Sequence, residues 1–349
     1  MDSSPVPQSP LPHTAGSVPP PPPLPPKHPV RRLLRWFMLL VLVTSLVTNC
    51  VLWMVTPSLF SSDAGPVERF HTGNQTSQDK LAIIEISGTI MPPFTDRTLR
   101  SIKHALEDKQ VKGVLLQIDS PGGFVADSHQ IYYRLKELAE KKPIVVSMKS
   151  LAASGGYYVA MGAGEKGRIY AEPTTWTGSI GVIIPRYEFL GLKEKLGIDS
   201  KPLKTGEFKD ALSPFHPLSE NERAVWDNIL QQAFERFVTV IDDNRQPLTR
   251  ENVKKLATGQ IYTADDALKL GLIDAIGFEE DALKELQTLA KVTAPQIVKY
   301  GFQSGFVDLL LGSQARQDPA VQWRDWLEAT VPRAMFYCSW APAIPHRVP

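Results

Sequence analysis

The chain has 349 residues, with 38 Lys and Arg against 37 Asp and Glu, a net charge of +1. That balance lacks the basic bias of a nucleic-acid binder, so no nucleic-acid partner is expected. Two cysteines, Cys50 and Cys338, are too few for a disulfide framework and have no zinc spacing, so neither a metal nor a cofactor is expected.

The first thirty residues hold twelve of the 30 prolines, including Pro19 to Pro23. Proline fixes φ and lacks an N–H, so residues 1–35 read as a disordered or polyproline arm, a solvated tail in preference to a ligand for a proline-binding domain. Residues 36–55 are predominantly apolar and carry no charge. As a helix they span roughly 30 Å, the thickness of a bilayer core, and membrane lipid is the expected surrounding. Lys27, Arg31, Arg32 and Arg35 precede this run, while Asp63 and Glu68 follow it before the next base, Arg69. The positive-inside rule therefore places the N-terminus in the cytoplasm and the rest across the membrane. Thr56-Pro57-Ser58 is a poor cleavage site, so an uncleaved anchor is expected rather than a signal peptide. Cys50 lies in the apolar run and reads as a small hydrophobe; a lipid-attachment site would want a small residue where Asn49 stands.

Residues 56–79 read as a linker. Strands are predicted at 81–86, 113–118 and 143–148, the second apolar enough to be buried on both faces. Helices are predicted over 96–107 and 126–141, the latter with Ile131, Leu135 and Leu138 at helical spacing. This alternation predicts a parallel α/β core. Ser219 with Glu222 three residues on has capping-box spacing, and the helix it opens should run to about Asp243. Trp226, Leu230, Phe234, Phe237 and Ile241 on that helix are expected in the core or at a subunit interface. The aromatics beyond Tyr300 form no catalytic grouping.

Four motifs carry chemistry. Ser154 lies in Leu-Ala-Ala-Ser-Gly-Gly-Tyr-Tyr (151–158), at a predicted strand-to-helix junction. Its glycines permit a tight turn and close approach of a substrate, and the free N–H groups there suit an oxyanion; a helix cap is the plain alternative. Ser120-Pro-Gly-Gly (120–123) follows the previous strand, so the N–H groups of Gly123 and Ser154 should converge at one sheet edge. Thr177-Gly-Ser-Ile-Gly-Val (177–182) puts Ser179 on another glycine-flanked turn. Lys209 lies in Thr-Gly-Glu-Phe-Lys-Asp (205–210). No motif contains a histidine, so a lysine would have to activate the serine, a known variant of the serine-protease arrangement. A lysine accepts a proton only when neutral, which burial favours; Ser179 could orient its amine, and Asp210 should point elsewhere. His104, His129 and His216 read as structural or surface residues.

These motifs, with Gly259-Gln-Ile-Tyr-Thr-Ala-Asp-Asp-Ala-Leu-Lys-Leu-Gly-Leu-Ile-Asp (259–274), resemble the signal peptide peptidase A family, short single-copy type, over about residues 80–295. The resemblance implies a Clp-protease/crotonase-like α/β fold behind an N-terminal transmembrane helix. It implies a serine endopeptidase that degrades cleaved signal peptides with Ser154 as nucleophile and Lys209 as base. Ser179 would position the lysine, and Gly123 and Ser154 would supply oxyanion N–H groups. It further implies a homo-oligomer, an octamer, in which serine and lysine meet across a subunit boundary. The location implied is a bacterial inner (plasma) membrane, with the catalytic domain on its periplasmic or extracytoplasmic side. The domains expected are a cytoplasmic arm (1–35), an anchor (36–55), a linker (56–79), a Ser-Lys peptidase domain (80–295) and a C-terminal extension (296–349). A non-catalytic membrane adaptor and a crotonase-like acyl-CoA enzyme are the competing readings of the same fold.

Overall fold

The structure is a computed structural model that describes residues 29–60, 65–246, 248–302 and 335–337. The proline-rich arm through His28, Cys338 and most of the C-terminal extension lie outside the described residues. The chain divides into two units, Met1–Phe60 and Ser61–Pro349. The first contains one long helix, α1 (Pro29–Phe60), within which Arg32–Leu52 is long and apolar enough to cross a membrane. The helix starts earlier than the apolar run because Pro29 occupies its first position, where the missing N–H has no intrahelical role.

The second unit is an α/β layer structure with strands β1 (Val67–Gly73), β2 (Lys80–Ser87), β3 (Val111–Ser120), β4 (Gly122–Phe124), β5 (Ile144–Ala153), β6 (Arg168–Ala171), β7 (Trp176–Gly178), β8 (Ile261–Thr263), β9 (Ala275–Ile276), β10 (Gln296–Gly301) and β11 (Met335–Tyr337). Its helices are α2 (Phe94–Glu107), α3 (Val125–Ala139), α4 (Gly155–Ala160), α5 (Leu190–Leu196), α6 (Glu220–Asn244), α7 (Arg250–Leu256), α8 (Ala264–Lys269) and α9 (Glu279–Ala290). The main sheet runs β1-β10-β2-β3-β5-β6-β9, parallel from β10 to β9 with β1 antiparallel at the edge. The sheet thus begins at Val67, inside the stretch read as linker, and takes in 296–301, the start of the stretch read as extension.

Alternation along β2 and β3 explains their near-continuous apolar sequences. Ala82, Ile84, Leu116 and Ile118 join the large cluster beneath α2, α3, α4 and α6. Leu81, Ile83 and Leu115 point to the other face and pack on Ala282, Leu283 and Leu286 of α9. Both faces are covered, as a parallel sheet requires. Ser219 and Glu222 form the predicted capping box of α6. Phe237 and Ile241 on that helix are buried, whereas Val225 and Ile229 near its start are exposed.

β5 is the strand that sets the site. Its expected end was Met148, but it continues to Ala153 because its last three residues gain a new neighbour, β7: Leu151 pairs with Trp176, Ala152 with Thr177 and Ala153 with Gly178. The Thr175 hydroxyl donates to the Lys149 carbonyl at 2.6 Å, and the Thr177 hydroxyl to the Ala152 carbonyl at 2.7 Å, bracing the join. Ser120 at the end of β3 pairs with Ala152. The ends of β3, β5 and β7 therefore meet at one edge.

Candidate active site

Ser154 stands where β5 breaks into α4. Its backbone is at φ 54°, ψ −113°, a region that costs a non-glycine residue about 1–3 kcal/mol. Such a turn aims a side chain off the end of a sheet, the geometry in which strand-to-helix nucleophiles are presented. The hydroxyl makes no cap hydrogen bond to α4. Ser154 is 1% exposed, and its Oγ has no hydrogen-bond partner among the described residues. A buried hydroxyl without a partner is a costly arrangement, and the cap reading gives no account of it.

The glycines around Ser154 are there for lack of room. A Cβ on Gly155 would come 2.7 Å from Ser128 Oγ and 3.0 Å from Gly122 Cα; one on Gly156 would come 2.9 Å from the Ser120 carbonyl oxygen. The 120–123 turn is thereby packed directly against the start of α4. Ser120 holds it: its Oγ donates to the Gly88 carbonyl at 2.5 Å and accepts from the Gly122 N–H at 3.1 Å.

The two N–H groups expected to converge have different fates. Along β4, Ile90 donates to the Gly122 carbonyl and accepts from the Phe124 N–H. Alternation then turns the Gly123 N–H to the opposite edge of the strand, towards its register partner Phe336 on β11. The Ser154 N–H, expected as the second oxyanion donor, instead donates to the Gly178 carbonyl at 2.7 Å. The next N–H, that of Gly155, opens α4 and has no intrahelical partner. Gly123 N lies 3.1 Å from the position a Gly155 Cβ would take. Gly155 is thus a residue that sequence reasoning passed over, and so is Ser128, whose buried Oγ also has no partner among the described residues.

Ser179 follows Gly178 directly, is 7% exposed, and has a positive φ of 49°. Lys209 is in a short 3-10 turn, Glu207–Asp210, and is exposed. Within one chain no hydrogen bond joins it to Ser154 or Ser179, and among the described residues it has no ion-pair partner. Asp210 points away from it: Oδ1 accepts from Lys204 Nζ at 2.6 Å, and Oδ2 lies 3.4 Å from His216 Nε2. The Lys204 hydrogen bond holds the Asp210 carboxyl below the usual carboxylate range. The segment around Lys209 is rich in exposed apolar residues: Tyr187, Phe189, Leu192, Leu203 and Phe208.

His129 is not part of this grouping. Its Nδ1 lies 2.7 Å from the Tyr158 hydroxyl, and burial pushes its pKa down. Asp210, His216 and Glu222 come close enough to hold a cation, but Lys204 and Ser219 already engage the two carboxylates.

A family model described as peptidase family S49 matches residues 136–293, and one for Clp proteases matches 74–177. A protein named as a signal peptide peptidase, SppA, in Enterococcus faecium is 42% identical over 221 residues, 62% of this chain and 62% of that one. A protein named as a protease in Methanocaldococcus jannaschii is 42% identical over 197 residues, covering 56% of this chain and 62% of its own. Another named as a protease, from Synechocystis sp., is 40% identical over 215 residues, 62% of this chain and 76% of its own. The chain thus spans about three fifths of the first two relatives. The α/β fold is Clp-protease-like, as the resemblance implied.

Proposed function

This chain belongs to peptidase family S49, and from that premise we propose that it is a membrane-anchored serine endopeptidase that degrades cleaved signal peptides and similar apolar peptides. The observation that carries this reading is Ser154: a strained, buried serine whose hydroxyl has no partner among the described residues and makes no cap hydrogen bond to α4. Strain of this kind persists where the surrounding packing enforces it, and it holds a nucleophile in place before the substrate arrives.

In the proposed reaction Ser154 Oγ attacks the peptide carbonyl while a neutral Lys209 amine takes its proton. The carbonyl oxygen becomes an oxyanion received by the N–H groups of Gly123 and Gly155, donors fixed in advance by the packed turn. The lysine then returns the proton to the departing amine, leaving an acyl-enzyme on Ser154. Water, deprotonated by the same lysine, attacks the ester; the bond to Ser154 Oγ breaks, the lysine returns the proton to Oγ, and the acyl part leaves as a new carboxyl end. Ser179, beside Ser154 at the same sheet edge, orients the lysine amine.

A lysine exposed on its own chain serves this role when a second subunit brings it to Ser154. The apolar residues flanking Lys209, and the exposed Val225 and Ile229 at the start of α6, support burial of that segment in an oligomer. An octameric ring with the dyad completed across the boundary is the assembly proposed. Helix α1 anchors the chain in the inner membrane, with the arm cytoplasmic and the peptidase unit outside.

Fluorophosphonate labelling of the detergent-solubilised protein tests the reading. Label should attach to Ser154 in the native chain and be absent from Ser154→Ala and Lys209→Ala. Unchanged labelling of Ser154→Ala would place the nucleophile elsewhere.

A further inference from the structure

Ser154 shares the β5–α4 junction with a second buried hydroxyl that lacks a partner. Ser128, one turn into α3, is fully buried, and its Oγ makes no hydrogen bond among the described residues. A hydroxyl on a helix can satisfy itself by donating to the carbonyl four residues back. Thr98, Ser101, Thr239 and Thr288 all do so, at 3.2, 3.1, 2.8 and 3.0 Å. Ser128 forgoes the equivalent bond to the Phe124 carbonyl, and its side chain reaches across to α4 instead.

There the Oγ comes to rest against Gly155. A Cβ on Gly155 would meet Ser128 Oγ at 2.7 Å, Gly122 Cα at 3.0 Å and Gly123 N at 3.1 Å. The nearest of the three is the hydroxyl, and it alone comes from outside the 120–123 turn. Gly155 is therefore seated against two supports. One is the turn, which Ser120 ties to the Gly88 carbonyl. The other is α3, which Ile131, Leu135 and Leu138 fix in the large apolar cluster. The N–H of Gly155, the first amide of α4, takes its aim from these two supports. Burying an unpaired hydroxyl costs stability that an alanine would not, so the hydroxyl calls for a role other than filling space.

We infer that Ser128 is a positioning residue for the oxyanion-binding amides: its Oγ sets the depth at which Gly155 sits beside Gly123, and so the aim of the Gly155 N–H at the carbonyl oxygen under attack. The inference rests on the reading of Ser154 as nucleophile and Gly155 as oxyanion donor. Such a donor works because it is fixed in place before charge develops. Misplacing a group at a reacting centre by about 1 Å can cost about a hundredfold in rate. Oxygen is the size that fits this gap. Alanine would leave the Gly155 α-carbon free to sink towards α3, and the larger sulfur of cysteine, on a longer bond, would push it away. Ser128 acts through Gly155 and exchanges no proton, so it leaves the base untouched.

The test is steady-state hydrolysis of an unstructured peptide by the full chain in detergent, with fluorophosphonate labelling rate and melting temperature measured on the same preparations. Ser128→Ala should lower kcat and the labelling rate about tenfold or more, and leave the pH profile unchanged. Its KM should stay within about twofold of native, because the lost interaction belongs to the transition state. It should melt no lower than the native chain, since an unpaired buried hydroxyl is gone. Ser128→Cys, which errs in the opposite direction, should also lower kcat. A residue that only fills space predicts the reverse, a lower melting temperature with kcat retained. Native kcat in folded Ser128→Ala overturns the proposal. The contact itself is read from a double-mutant cycle with Gly155→Ala. Adding Ser128→Ala should raise the melting temperature of Gly155→Ala by more than it raises that of the native chain, because the nearest obstacle to the new Cβ is removed. Strict additivity overturns the seating. A native chain that takes no fluorophosphonate removes the peptidase reading, while the cycle still decides whether Ser128 seats Gly155, so the two fail separately.

Discussion

The Ser154 amide donates to the Gly178 carbonyl at 2.7 Å, and the residue after Gly178 is Ser179. Ala153 and Gly178 are register partners on β5 and β7, so two serines leave adjacent strands side by side. Both then turn into positive φ, 54° and 49°. One hydrogen bond within the chain thus fixes the backbone of the proposed nucleophile relative to the residue proposed to orient its base.

Ser154→Ala should abolish hydrolysis of unstructured peptides by about a thousandfold or more, the scale of loss for a covalent nucleophile, without changing assembly. Ser154→Gly should be as inactive yet melt higher than Ser154→Ala, because glycine relieves the positive-φ strain, worth about 1 kcal/mol or more. Equal melting temperatures for the two variants would show that the turn stores no strain.

Gly122→Ala should be destabilising and nearly inactive. Gly122 is at φ 97°, and its new Cβ would meet the Phe336 carbonyl at 2.0 Å and Gly155 N at 2.6 Å, both backbone atoms. Displacing the turn moves the Gly123 N–H, a proposed oxyanion donor, and losing one such donor costs about a hundredfold or more in kcat. Shortening the chain to Ala334 removes the first clash but not the second. Activity should therefore stay low in the shortened Gly122→Ala chain, as measured by peptide hydrolysis; full recovery would contradict the packing argument.

His216 predicts a pH dependence next to the proposed base. Its Nδ1 lies 2.8 Å from the Pro217 carbonyl and its Nε2 2.8 Å from that of Asp210. Both partners are acceptors, so only the doubly protonated ring satisfies both. The Pro217 carbonyl raises its pKa most, partial burial opposes this, and the Asp210 carbonyl and carboxylate add to the rise. A raised folded-state pKa contributes stability that is fully present below the ordinary histidine value and lost as pH rises through the folded value. Amides of 207–216 should therefore be better protected from hydrogen exchange at pH 6 than at pH 8.5, after correction for intrinsic rates. His216→Gln should erase the difference; a difference that survives the substitution would assign it to another group.

The sequence made the alternating strands and helices legible because β2 and β3 are apolar on both faces and α6 begins with a capping box. It also singled out the segments bearing Ser154, Ser179, Gly123 and Lys209, since short glycine-flanked motifs announce tight turns. Three features were hidden. β5 runs on past Met148 because Trp176–Gly178 pairs with its end, a tertiary effect without a local signature. The Ser154 N–H is consumed by Gly178 for the same reason, which moves the proposed oxyanion role to Gly155. No strand was predicted at 335–337, because its strand character comes from the two edges it joins, not from its own alternation.

The complete site should require two subunits. Lys209 is exposed, has no ion-pair partner among the described residues, and is set among exposed apolar side chains, while Ser154 is buried with its hydroxyl unpartnered. Ser154→Ala and Lys209→Ala chains should each be inactive alone. When the two are mixed and allowed to exchange subunits, some boundaries will pair an intact serine with an intact lysine, and part of the activity should return. A dyad formed within one chain predicts no rescue, because every chain then lacks one member. Exchange can be followed independently by energy transfer between differently labelled chains. Background activity in a mixture shown to exchange would rule out the shared site while leaving Ser-Lys chemistry within a single chain to be sought.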